Sequence, residues 1–186
     1  MMKIETIEIA GMGAALEALR LPFGKEERSF VDLDILNYVD DEGQKILLYS
    51  TINNINPKDL ELMSTLVRRG DEHAKVVRGI VVWAKITAPV YFFVEQETYR
   101  AGHERLSSES TMHIDCKGLT GEALQSAKAA IPMGKELTKI DYFSYQCLRN
   151  IVKQRHNHRL PEWHEFVDWV KTLPFAEELI LTGLDL

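Results

Sequence analysis

Asn56-Pro57 is the tightest local constraint in the chain. Asparagine can accept a hydrogen bond from a free amide in the first helical turn, and proline suits the first helical position, where no amide is needed. Asp59 adds negative charge at the positive helix end. Leu60, Met63, Leu66 and Val67 then recur on one face, and Gly70 closes the element. A helix with one apolar face must cover something, so the rest of the chain has to supply a packing surface.

Residues 2–9 read as a short strand. Ala10 to Leu21 forms a compact helical stretch carrying Ala14, Ala15, Leu16, Ala18 and Leu19, stopped by Pro22 and Gly24. Residues 30–55 read as strand and turn, with 46–52 as the strongest strand and Asp40-Asp41-Glu42-Gly43 as its turn. His73, Val76, Val77, Ile80 and Val81 recur at helical spacing, which predicts a second helix reaching about Lys85. The run from Pro89 to Val94 fits a strand or a buried helix equally well. Residues 100–115 are polar and serine-rich, as in a functional loop. Thr120 can cap a short helix to Ala130, ended by Pro132 and Gly134. Ile140, Phe143, Cys147, Ile151 and Val152 predict a long helix over about 139–156. Pro161 starts a last helix with Phe166, Val167, Val170 and Leu173 inward, and Pro174 ends it. No repeat or linker interrupts the pattern. The expectation is one α+β domain over 1–186, a small sheet with several packed helices and a helix-rich C-terminal half.

Composition narrows the function classes. At 45% hydrophobic and 27% charged, the 186 residues can bury a core and are not of the disordered class. No apolar run approaches the roughly 20 residues of a membrane span, and residues 1–10 lack the continuous apolar stretch of a signal peptide. Cys116 and Cys147 are too few for a disulfide framework or a four-cysteine zinc site. These features lead us to expect a reducing, cytoplasmic setting. With 22 Lys+Arg against 28 Asp+Glu the net charge is −6, which argues against a duplex nucleic acid partner but leaves room for local basic sites. Such sites exist at Arg68, Arg69, Lys75 and Arg78, at Arg100, His103 and Arg105, and over 149–159.

Several motifs carry little. Gly11-x-Gly13 lacks the third glycine of a dinucleotide fingerprint. His156-x-His158 lies among arginines, and His164-Glu165 has no second histidine at zinc-helix spacing, so no metal is expected. Cys147 falls on an apolar helical face, and no Ser–His–Asp order is readable. Residues 91–113 are different. Arg100, His103 and Arg105 place up to three cations within six positions, and Ser107, Ser108, Ser110 and Thr111 surround Glu109 with hydroxyls. Arginine matches phosphate bidentately, and a carboxylate can accept from a base or sugar, a mixture suited to a nucleotide. The competing reading is a solvated loop whose arginines pair with Glu95, Glu97 and Glu104. Arg149, Lys153 and His156 fall at i, i+4 and i+7 and can form one polar stripe.

The order of these features resembles the flavin-dependent thymidylate synthase (ThyX-like) superfamily. Gly70-Asp71-Glu72-His73 is similar to its Gly-x-x-His segment. Arg100, His103, Arg105, Ser107, Glu109 and Ser110 follow the order of its Arg-His-Arg…Ser…Glu…Ser loop, and Arg149, Asn150 and Arg155 resemble its late Asn- and Arg-bearing helices. The similarity spans about residues 60–165. A phage and bacterial subgroup near that superfamily is closer. Its opening glycine–alanine–leucine–arginine–proline pattern is seen at Gly11, Ala15, Leu16, Arg20 and Pro22. Its central pattern is seen at Phe92, Phe93, Glu95, Thr98, Tyr99, Arg100 and Gly102, and its Ser-Thr-Met-His ending at Ser110 to His113. The chain also departs from the synthases. Arg100, His103 and Arg105 are not contiguous, Ser108 stands where they have Asn, Met112 or His113 replaces their Arg-Tyr close, and residues 162–166 lack their Glu-Ile-Arg ending.

The resemblance implies a homo-oligomer that binds a nucleotide and FAD and methylates dUMP, with NADPH and methylene-tetrahydrofolate as co-substrates if synthase activity is retained. Arg100 and Arg105 would then clamp phosphate, with Ser107, Glu109 and Ser110 completing the substrate site. His73, His103, Arg149, Asn150 and Arg155 would contact the flavin. No catalytic nucleophile is assigned, because the cofactor carries the redox chemistry. Two alternatives remain open: a related pyrimidine-nucleotide hydroxymethylase, and a non-catalytic protein retaining the fold.

Overall fold

The computed structural model describes residues 2–24, 32–39 and 45–186, and of residues 32–39 and 45–54 it describes the backbone. The elements in chain order are β1 (Lys3–Ala10), α1 (Met12–Arg20), β2 (Asp32–Val39), β3 (Lys45–Asn54), α2 (Pro57–Arg68), a 3-10 turn (Ala74–Arg78), β4 (Val81–Pro89), α3 (Val90–Gln96), β5 (His103–Ser108), α4 (Thr111–Ile114), α5 (Gly121–Ala129), β6 (Glu136–Ser144), α6 (Tyr145–Arg155), α7 (Pro161–Lys171) and a π turn (Glu177–Leu181). Four strands form an antiparallel sheet in the order β1-β4-β6-β5, and β2 and β3 pair separately. This is the expected α+β class.

β4 shows why one sheet face is core. Val82, Ala84, Ile86 and Ala88 alternate along it and are fully buried, while Lys85 on the other face is exposed. Their cross-strand partners on β6 are Phe143, Asp141, Lys139 and Leu137, so two ionisable groups sit on the buried face. Aromatic rings from two helices, α3 and α7, cover this face: Phe92 lies 4.7 Å from Trp163, and Phe166 lies 5.1 Å from Trp169. Fully burying side chains of this size contributes about 1.5–3 kcal/mol each.

α2 begins as expected, with Asn56 Oδ1 accepting from the Lys58 amide at 3.0 Å. Of the run from Pro89 to Val94, Pro89 ends β4 and the residues from Val90 are helix, since α3 starts directly behind β4. Three expectations are corrected. The helix predicted to reach Lys85 is only the turn at Ala74–Arg78, and the chain is extended from Val81. Ile80 and Val81 fit both periods, and the small buried residues Ala84 and Ala88 weaken the strand signal. The helix predicted over 139–156 is β6 up to Ser144 and α6 after it, because Ser144 Oγ caps the Cys147 amide at 3.1 Å. The predicted loop 100–115 contains β5, an edge strand whose residues after His103 are all exposed. The turn expected at 40–43 lies outside the described residues.

Candidate functional site

α6 organises the candidate site because two separate backbone segments lie along it. On one side is the 70–73 turn, where Gly70 takes φ 115°. Gln146 Nε2 donates to Asp71 Oδ1 at 3.0 Å and lies 3.4 Å from Asn150 Oδ1, tying that turn to α6. On the other side is the 97–102 turn between α3 and β5. Tyr99 Oη donates to Gln154 Oε1 at 3.1 Å and accepts from Arg155 Nε at 2.8 Å. Gly102 takes φ 80°, and an added Cβ would stand 2.2 Å from Ser144 Oγ, so this approach to the start of α6 requires glycine. With 100° per residue, Asn150 lies on α6 between the ridge of Cys147 and Gln154 and the ridge of Gln146 and Lys153. Among these, Asn150 is half-buried and Lys153 and Gln154 are exposed. The result is a polar surface on α6, flanked by the 70–73 turn on one side and the 97–102 turn on the other.

The cations divide into committed and available ones. Arg105 is exposed and pairs with Glu97 at 2.9 Å, and buried Lys139 also reaches Glu97. Arg155 lies 3.3 Å from Glu95 Oε2, and its guanidinium sits 4.9 Å from the Trp163 ring centroid. Arg149 is buried and donates through Nη1 to the carbonyls of Ile180 and Thr182. Burial draws its pKa down, opposed by the Asp71 carboxylate. Arg100 and Lys153 are exposed and have no ion-pair partner among the described residues. His73 is half-exposed, 3.7 Å from Glu72.

The remaining residues singled out in the sequence lie along the sheet edge. Ser107 is exposed on β5 and Ser110 precedes α4. Glu109 prolongs the β5–β6 ladder: its amide donates to Thr138 O at 2.9 Å, and its Oε2 accepts from the Thr138 amide at 2.8 Å. His103 is buried and stacks on Phe143 with ring centroids 4.6 Å apart and 5° between planes. The structure therefore sets the turns that carry His73 and Arg100 against α6, which carries Asn150. It turns Arg149 toward the C-terminal turn and His103 into the core. Gln146 was missed by sequence reasoning, although its place one helical turn before Asn150 was a usable signal. Among the described residues no cluster of three His, Cys, Asp or Glu side chains could hold a metal, and no helix is long and apolar enough to cross a membrane.

No family model matches the chain, and no curated protein does. Solved structures do. A flavin-dependent thymidylate synthase ThyX from Helicobacter pylori, complexed with FAD and dUMP, aligns with a TM-score of 0.69 at 13% identity, over 98% of this chain and 100% of that one. A second structure of Helicobacter pylori ThyX with FAD and dUMP also gives 0.69, at 14% identity and full coverage of both chains. A UMP/dUMP methylase PolB from Streptomyces cacaoi bound with 5-Br dUMP gives 0.66 at 11% identity, over 99% and 96%. At such sequence distance the likeness speaks for backbone architecture, and it runs the whole length of the chain: this protein has the ThyX-like α+β fold, in a divergent sequence.

Proposed function

We propose that the chain binds a pyrimidine nucleoside monophosphate and FAD along α6 and modifies the pyrimidine ring, with methylation of dUMP as the reaction. The observation that carries this reading is a pair of exposed cations without an ion-pair partner among the described residues: Lys153, on α6 with Asn150 and Gln154, and Arg100, on the turn that Tyr99 ties to Gln154. An uncompensated pair of cations beside amide donors and acceptors suits a phosphate attached to a hydrogen-bonding base. The solved structures of the same fold carry dUMP or a brominated dUMP, two of them with FAD, which supports the choice of ligands.

The donor set also fits a flavin. Asn150 offers both an amide donor and an acceptor for the rim of the ring system, and His73 offers a flat, half-exposed ring on the turn that Asp71 ties to α6. Bound there, FAD would supply the reducing chemistry that no protein side chain can. Arg100 and Lys153 would hold phosphate oxygens, and Gln146 would keep Asn150 and Asp71 in register. Ser107, Glu109 and Ser110 on the sheet edge are proposed as substrate contacts of this site or of its counterpart in a homo-oligomer.

Titration calorimetry of the purified chain with dUMP, with and without added FAD, tests the reading. Micromolar dUMP binding that Arg100→Ala weakens by about 1.5–3 kcal/mol is expected, the loss of a charge-assisted hydrogen bond. Protein that neither retains flavin, nor is shifted in melting temperature by FAD, nor binds dUMP overturns it in favour of a non-catalytic protein with the fold. Complementation of a thymidine-requiring strain then separates methylation from hydroxymethylation.

A further inference from the structure

His103 sits in a buried polar cluster that the nucleotide reading does not use. Its Nδ1 lies 3.1 Å from the Tyr99 carbonyl oxygen, which can only accept, so Nδ1 carries a hydrogen. Its Nε2 is therefore turned toward Asp141, 3.4 Å from Oδ2. Asp141 is completely buried, and that same oxygen accepts from Gln96 Nε2 at 3.0 Å. Three buried atoms of this cluster, Gln96 Oε1, His103 Nε2 and Asp141 Oδ1, have no hydrogen-bond partner among the described residues. A bare imidazole nitrogen facing a carboxylate oxygen would oppose two lone pairs in a buried site, an arrangement that buried polar groups avoid.

We propose that His103 is a positioning residue: it shares a hydrogen with the Asp141 carboxyl group through Nε2 and, through Nδ1–H, pins the Tyr99 carbonyl that immediately precedes Arg100. The inference rests on the proposed nucleotide site, because it assigns the clamp the task of setting Arg100 beside α6. Each end of the 97–102 turn has its own anchor. Glu97 is held by Arg105 and Lys139, and the Gly102 carbonyl accepts from the Ser144 amide at 2.7 Å. Between them, the Thr98 and Tyr99 amides donate to the Glu95 and Gln96 carbonyls, and His103 adds a side-chain bond to the Tyr99 carbonyl, whereas the bonds of Gln154 and Arg155 hold only the Tyr99 phenol. The stack on Phe143 keeps the imidazole in the plane that both contacts need. A cation held by one rigid peptide binds phosphate better than one on a mobile turn, since displacement of about 1 Å is enough to weaken a positioned contact.

Nitrogen-15 spectra of the histidine rings in the full chain read the clamp directly. A hydrogen on Nδ1 of His103 is expected, with an Nε2 signal that moves on Asp141→Asn. A ring bearing its hydrogen on Nε2 alone, with Nδ1 bare, overturns the proposal. In His103→Asn, which can still donate to Tyr99 O but loses Asp141, dUMP affinity should fall less than in His103→Leu, which should lose about tenfold. Amide exchange across 99–102 should quicken in His103→Leu, and unchanged exchange in that folded variant overturns the clamp. If exchange quickens in His103→Leu while Arg100→Ala leaves dUMP affinity untouched, the clamp stands and the nucleotide reading falls. Should the core variants fail to fold, the wild-type spectrum alone still decides the hydrogen's position.

Discussion

The Arg149 guanidinium donates through Nη1 to the carbonyl oxygens of Ile180 and Thr182, 2.7 Å from each. One buried side chain of α6 thereby closes the π turn at Glu177–Leu181, whose Leu179 and Ile180 are fully buried. Without the guanidinium those two carbonyls lose a charged donor, and a buried unsatisfied carbonyl is costly. Arg149→Ala should destabilise the protein by about 2–4 kcal/mol, and Arg149→Lys should recover only part, because an ammonium cannot reproduce the planar fork. Urea unfolding measures both. A folded Arg149→Ala protein with wild-type stability and lost flavin affinity would instead return Arg149 to the cofactor site.

Two glycines near the start of α1 predict opposite signs. Gly11 has φ 90°, and a Cβ there would stand 1.8 Å from the Gly79 carbonyl oxygen, a backbone atom that cannot step aside. Gly11→Ala adds a left-handed backbone cost of about 1–2 kcal/mol to that clash, so a loss of roughly 3 kcal/mol or more is expected. Gly13 lies inside the helix, exposed, with nothing within 4 Å of a new Cβ. Gly13→Ala should therefore stabilise by about 0.5–1 kcal/mol. Thermal melting of the two variants shows whether the signs differ.

The same contrast explains what the sequence could and could not reveal. α2 was legible because Asn56 and Pro57 act on amides within three residues of themselves. The starts of β4 and α6 were not, because Val76, Val77, Ile80 and Val81, and later Phe143 and Cys147, keep helical spacing across a strand boundary. Ser144, capping Cys147, was the local signal that could have marked the second one. β5 was hidden by being a polar edge strand, where only His103 is buried. At the candidate site, the cationic content of the segment was visible but its pairing was not. Arg155 finds Tyr99 from 56 residues away and Arg149 finds Thr182 from 33, distances over which charge patterning says nothing. Burial and remote partners, rather than residue type, leave Arg100 and Lys153 available and Arg105, Arg149 and Arg155 engaged.

Cys147 sits against Gly102 at the start of α6, and burial pushes its thiol up to about 12. Thiolate is the reactive form, so at pH 8 almost none is present. Native protein should show no alkylation of Cys147 by iodoacetamide over minutes, with full reaction on unfolding in urea. Peptide mapping reads the site, and rapid labelling of Cys147 in native protein would show that the 97–102 turn opens away from α6.

Glu97 gives the fold an acid-sensitive joint. Burial alone would lift its carboxyl group, but the hydrogen bond from Lys139 and the charges of Lys139 and Arg105 outweigh that and hold it below its ordinary value. A carboxyl group whose pKa is depressed by folding stabilises the native state above its unfolded value, about pH 4.3, and that contribution is lost as pH falls through the lower folded value. Lys139 is almost entirely buried, and apart from Glu97 its ammonium has the Phe93 ring, with the centroid 4.1 Å away. Removing the carboxylate leaves that ammonium without its counter-charge. Glu97→Gln should therefore lower the urea midpoint at pH 7, and the gap to wild type should narrow as the pH drops below about 4 and close once it lies below the depressed folded value. Urea titrations of both proteins at intervals between pH 2 and pH 7 follow the gap. Parallel curves over that range would mean that the Lys139 contact contributes nothing to stability and that Glu97 is a solvated side chain.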